Sequence, residues 1–295
     1  MTIKNALILT TALLAVPAFS NAKTEVLTLT KDNTIVMDQE FNFETVAKVA
    51  QRAKDLDTIL ESNEPIYLIL NSGGGGIDAG IELIENLNSL NRPVETITLW
   101  SASMAFQTVQ GVKGKRYILR DGTLMSHKAR GGFSGEFPGQ LDSRYSYYLK
   151  RILNLNVQVV SRTNGVHNLN SYDNLIENEF WCDGADCIKQ GFADSIAVVN
   201  CDKSLSGKAV SSEKFMFMGI PIELILVTSQ CPTITGVLDY KILMNGERLF
   251  KSENDIVYDS IVSKLSAEKL QELDKKIKTI ISNVNNKTSK KVLKY

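Results

Sequence analysis

Pro65-Ile66-Tyr67-Leu68-Ile69-Leu70 runs straight into Asn71-Ser72-Gly73-Gly74-Gly75-Gly76, and the reading of this junction decides the fold. An unbroken apolar run after a proline reads as a strand covered on both faces. The glycines mark a tight passage out of that strand. Ile77, Ile81, Ile84 and Leu87 then recur at helical spacing. A second strand, Val94 to Leu99, leads to Ser101-Ala102-Ser103-Met104-Ala105, and Leu124-Met125-Ser126-His127 closes the segment. A serine, a histidine and glycines able to offer bare backbone N–H groups are parts that acyl-transfer chemistry needs.

Outward from this segment the same alternation continues. Val26 to Leu29 and Thr34 to Met37 read as short strands around the turn Lys31-Asp32-Asn33. Phe43 to Leu56 reads as a helix with Val46, Val49, Ala50 and Ala53 on one face. A helix follows across Ser103 to Val112, then a strand near Tyr117 to Leu119. Strands alternating with helices predict crossover units and a largely parallel sheet. Gly131, Gly132, Gly135 and Gly139, with Pro138, predict a loop past His127, and Tyr145 to Val160 a helix. Residues 163–180 are polar and Asn-rich and read as turns, with a short helix and a strand to Val199 ending the core. Beyond Cys201 the pattern changes: Lys214–Thr228 and Ile234–Met244 read as two β segments. Leu270, Leu273, Ile277, Ile280, Ile281 and Val284 form a helical stripe. The predicted division is a leader over 1–22, a main domain over 23–199 and an appendage over 200–295.

The chain of 295 residues has 33 basic and 33 acidic side chains, so no overall field favours nucleic acid or a membrane surface. Lys4, the apolar stretch Ala6–Val16, Pro17 and the small residues Ser20-Asn21-Ala22 predict an export signal cleaved after Ala22, with an uncleaved N-terminal anchor as the alternative. No later run is long and apolar enough to span a bilayer. The expected location is therefore periplasmic or secreted. Four cysteines, Cys182, Cys187, Cys201 and Cys231, then suggest disulfides, with three pairings open. The local pairing Cys182–Cys187 and Cys201–Cys231 is favoured. There is no Cys-x-x-Cys, and His127 and His167 lie elsewhere, so no metal site is predicted.

Each site signal has an ordinary structural reading when taken alone. A Gly-rich turn before a helix often reverses the chain or holds a phosphate, but Gly76-Ile77-Asp78-Ala79 lacks the Lys-Ser/Thr of a nucleotide loop. A serine before a helix is commonly an N-cap, and a strand-end histidine commonly a structural donor. Their order, cradle then serine then histidine, carries the chemical reading.

That order resembles a known family. Pro65-Ile66-Tyr67-Leu68, Asn71-Ser72-x-Gly74-Gly75, Ala79-Gly80, Ala102-Ser103-Met104, Gly114-Lys115-Arg116-Tyr117, Met125-x-His127, Gly131-Gly132 and Gly191-Phe192-Ala193-Asp194-Ser195-Ile196 resemble the proteolytic subunit of Clp-type serine proteases, within the Clp-protease/crotonase fold. The likeness covers about residues 34–198. It implies an α/β fold of repeated ββα units with a largely parallel sheet, here with a small C-terminal α+β appendage. It implies Ser103 as nucleophile, His127 as general base, and the amides of Gly75 and Met104 as the oxyanion hole.

The third member of the triad falls on Asp173 counting from Thr163, or on Asn174 counting back from Phe180. Asp173 is preferred because a carboxylate stabilises the imidazolium that forms, which an amide does poorly. Glu177 is a remote third choice, and a Ser–Lys dyad through Lys128 a further alternative. Gly73, Ala105 and Lys128-Ala129 depart from the family pattern, where proline, glycine and Gln-Pro are usual. The implied partner is a polypeptide substrate, with no cofactor, no nucleic acid and self-association expected. Export would separate the enzyme from ATP, so ATP-independent hydrolysis of unfolded or short chains is expected. The alternatives are a catalytically silent scaffold and, less well suited to an exported chain, acyl-CoA chemistry.

Overall fold

The computed structural model describes residues 22–59, 64–244, 247–250 and 267–286. Of the leader read over 1–22, all but Ala22 lies outside the described residues.

The main sheet is built from β1 (Thr24–Leu29), β2 (Thr34–Met37), β3 (Ile66–Ser72), β4 (Val94–Ala102), β5 (Arg116–Ser126), β6 (Phe180–Asp183) and β7 (Ser195–Cys201). Its order is β1-β7-β5-β4-β3-β2, and every pair on that path is parallel. Parallel neighbours need crossovers, and α1 (Phe43–Ile59), α2 (Ile77–Asn88) and α3 (Met104–Gly111) supply three of them. β6 alone runs antiparallel, pairing with the end of β5. β1 and β2 do not form a hairpin across Lys31-Asp32-Asn33, for they occupy opposite edges of the sheet.

The apolar run in β3 is continuous because both of its faces are covered. Ile66, Leu68 and Leu70 face the large helix-covered core, whereas Ile69 and Tyr67 join a smaller cluster with Leu29, Ile97 and Leu205. Leu83, outside the stripe read from the sequence, is fully buried in α2, while Ile77 and Ile81 are only half-buried. β4 and β5 each extend beyond the predicted strands, to Ala102 and Ser126. Pairing of Trp100–Ala102 with Thr123–Met125 holds these extensions, an interaction that local composition does not reveal.

Three further expectations are corrected. Gly139 does not belong to a loop but opens α4 (Gly139–Ser161). The Asn-rich stretch contains a helix, α5 (Leu169–Leu175), started by a capping box in which Asn168 and Ser171 satisfy each other's backbone N–H. Lys214–Thr228 is not one β segment. It splits into β8 (Lys208–Phe217) and β9 (Ile220–Ser229) around Met218-Gly219, both at positive φ. Two such residues make the tight turn that matches strand twist.

β8 and β9 join β10 (Val237–Met244) and β11 (Glu247–Phe250) in a second, antiparallel sheet. Leu273 and Ile277 of the helix α7 (Ala267–Asn286) are buried with Phe217, Ile222, Leu224, Leu226 and Ile242 in a separate cluster. The cysteines pair Cys182–Cys187 and Cys201–Cys231. The first ties β6 to α6 (Gly184–Lys189), and the second ties the end of β7 to the chain after β9.

Candidate active site

The C-terminal ends of β3, β4 and β5 deliver the cradle, the serine and the histidine to one edge of the sheet, where crevices form in parallel α/β architectures. The cradle is held by Phe41. Its N–H donates to Gly74 O at 2.9 Å, and its carbonyl accepts from Gly76 N at 2.8 Å. The N–H of Gly75 lies between these bonds and takes no backbone partner among the described residues. Side chains are excluded here: a Cβ on Gly75 would come within 2.5 Å of Phe41 O. One on Gly74 would come within 2.6 Å of Met104 N and 2.8 Å of Ser103 Cβ. The glycines thus bring the cradle against the residue pair that carries the serine.

Ser103 sits between β4 and α3 at φ 57° and ψ −120°, a region L-residues rarely adopt. Its N–H donates to Met125 O at 3.0 Å, which fixes the elbow to β5. Its side chain makes no cap bond to the helix, so the N-cap role does not occupy the hydroxyl. Met104 N, at the first helical position, is one of the amides a helix start leaves without an internal partner. The Met104 side chain lies across Gly80 of α2, where a Cβ would fall 2.3 Å from Met104 Cγ.

His127 follows the last residue of β5. Its Nδ1 is 2.6 Å from the carbonyl of Lys128, so Nδ1 donates to it, and in the neutral ring this leaves Nε2 as the acceptor. That is the tautomer a general base needs. Ser103, His127 and Asp173 line one cleft of about 340 Å³, with Gly75 and Met104, whereas Asn174 is not among its lining residues. Among the described residues, no hydrogen bond joins Ser103 to His127, or His127 to Asp173. Asp173 instead lies 3.4 Å from Lys128 Nζ, which also binds Glu177. The Glu177 carboxylate, with help from Asp173, pushes the Lys128 ammonium up from its ordinary value, the reverse of what a lysine base requires.

Tyr172 is the residue that sequence reading missed. It is fully buried, and its hydroxyl is 2.7 Å from Ser126 Oγ, beside His127. Burial pushes its phenol up to about 12, so it stays protonated. The contact pins α5, and with it Asp173, beneath the end of β5. An aromatic residue inside a polar Asn-rich stretch was the available signal. Tyr172→Phe should leave Ser126 Oγ unpaired and cost about 1–3 kcal/mol of stability in urea unfolding, with a fall in any hydrolytic rate as Asp173 loosens.

Two of the sequence motifs serve the fold rather than the cleft. Arg116, 2% exposed, donates to Asp194, to Gln110 Oε1 and to the carbonyls of Gly191 and Arg162. Phe192 sits among Phe106, Tyr172, Phe180 and the stacked ring of His167. His167, bound to Gln190, is structural.

Comparison with known proteins bears on the whole main sheet. The Clp protease family profile matches residues 20–200, more than half of the chain. The chain belongs to the Clp protease family. It is by class a serine-type peptidase. The ATP-dependent Clp protease proteolytic subunit of Streptococcus mutans is 26% identical over 140 residues, covering 46% of this chain and 70% of that protein. The subunit of the same name from Borreliella afzelii is 30% identical over 141 residues, covering 47% and 70%. That from Ligilactobacillus salivarius is 34% identical over 110 residues, covering 37% and 55%. The second sheet of this Clp protease family member, from Lys208 onward, lies beyond the matched residues. Among the described residues, no helix is long and apolar enough to cross a membrane.

Proposed function

We propose that this chain is an exported, ATP-independent serine peptidase that cleaves unfolded or short polypeptides. His127 Nε2 takes the Ser103 proton, Ser103 Oγ attacks the peptide carbonyl, and the amides of Gly75 and Met104 receive the oxyanion. Asp173 closes on the imidazole as it charges. His127 then protonates the departing amine, and water, deprotonated by the same imidazole, releases the acyl group. The observation carrying this reading is the meeting of a strained serine, a histidine with Nε2 free and an exposed carboxylate around one cleft.

An adjoining cleft of about 610 Å³, lined by Phe41, Phe43, Phe133, Tyr145 and Tyr148, suits side chains of an extended polypeptide. Export draws support from the two disulfides, which persist in oxidising compartments. Self-association draws support from α4, where Tyr145, Leu149, Leu153 and Val157, spaced by four, are all exposed.

A catalytically silent scaffold is the second reading, favoured by His127 and Asp173 both being bound to Lys128 rather than to each other. Labelling with a fluorophosphonate separates the two. The peptidase is expected to be modified at Ser103, with Ser103→Ala blank. Folded wild-type protein that takes up no label would leave the scaffold.

A further inference from the structure

We propose that Lys128 is a latch, holding Asp173 apart from His127 until the site is engaged; this rests on the peptidase reading above. A working triad joins imidazole Nδ1–H to a carboxylate. Here that bond is split into two, both made to a single residue. The backbone oxygen of Lys128 takes Nδ1 of His127 at 2.6 Å. Its ammonium takes Asp173 at 3.4 Å, and Glu177, four positions on, anchors the same ammonium. The carbonyl fixes the imidazole tautomer but carries no net charge, so it stabilises an imidazolium less than a carboxylate does. The latched enzyme therefore has its base correctly protonated and its acid engaged elsewhere.

The latch is shallow. Side chains of Lys128, Asp173 and Glu177 are 44%, 57% and 59% exposed, and ion pairs so exposed are weak and screened by salt. Substrate seated in the cleft, which Lys128 and Asp173 both line, needs to displace only such a contact. Lys128 acts through its neighbours and is a positioning residue, not a catalytic one.

The test combines a rate with a signal that does not depend on activity. Lys128→Met should raise kcat about two- to fivefold, the range set by an exposed ion pair, with KM little changed. Glu177→Gln should do the opposite, because the ammonium is then left to Asp173 alone. Raising salt from about 0.01 M to about 0.5 M should speed the wild type and leave Lys128→Met flat. In protein labelled with nitrogen-15 histidine, the Nδ1–H resonance of His127 should move downfield in Lys128→Met and return in Lys128→Met/Asp173→Asn. A resonance unmoved by Lys128→Met overturns the latch whatever the rates do. A resonance that moves in a protein that neither hydrolyses peptides nor takes up fluorophosphonate supports the latch and sinks the peptidase reading instead.

Discussion

Ser103→Gly is expected to raise the melting temperature while removing hydrolysis. The backbone at this position is strained, with φ 57° and ψ −120°, and conformations of that kind cost about 1–3 kcal/mol for a residue with a Cβ. Glycine adopts them freely but gives up about 0.5–1 kcal/mol of chain entropy on folding. The balance is a gain of about 1 kcal/mol, or roughly 2–4 °C for a domain of this size. Loss of the proposed nucleophile should lower kcat by about 10⁴- to 10⁶-fold, the scale seen when one member of a hydrolytic set is removed. Ser103→Ala is the control: it keeps the Cβ, so it should lose the same activity without the thermal gain. Calorimetry and peptide hydrolysis on the three proteins read both effects. Equal melting temperatures for the glycine and alanine variants would show that the elbow stores no strain.

Asp194→Ala is expected to destabilise the main sheet strongly. Arg116 is almost completely buried, and Asp194 receives its Nη2 at 2.5 Å, its Nε at 3.2 Å and its backbone N–H at 2.8 Å. Removing one partner of such a pair leaves a charge without compensation and typically costs about 3–5 kcal/mol. Acceptors from Gln110, Gly191 and Arg162 remain, which sets the expectation at the low end, about 3 kcal/mol.

The pair also predicts a pH dependence. Burial pushes the Asp194 carboxyl up, but the Arg116 donors and the nearby Arg162 outweigh it and hold it below its ordinary value. A carboxylate lowered on folding stabilises above its unfolded pKa, and that contribution disappears as pH falls through the folded value. Glu25 adds to the same flank, because Lys115 overcomes its burial and brings it from 4.5 to about 2. Wild-type stability should therefore decline on acidification below about 4.5, and the decline should be shallower in Asp194→Ala. Urea titrations at several pH values measure the slope.

How far the fold was legible depended on whether its signals were local. The buried strand at Ile66–Leu70, the glycine passage, and Ser103 and His127 at strand ends are written in runs of a few residues, so order and type of elements follow from sequence. In a parallel sheet the strands end at one edge, so residues that follow different strands meet there without any further instruction. The extra length of β4 and β5, the placement of α5 and the hairpin at Met218-Gly219 carried weaker local marks. Each depends on partners far away in the chain.

From the sequence alone came a parallel α/β sheet whose strand ends gather glycines, a serine and a histidine, because hydrophobic period and turn chemistry act over short distances. The third dimension decided the rest. A tyrosine bonded to a serine 46 positions away ties the helix that carries Asp173 to the end of β5, and Lys128 bonds to that acid and to the imidazole alike. Contacts of this reach are set by how packed elements fit one another, and no window of neighbouring residues contains them.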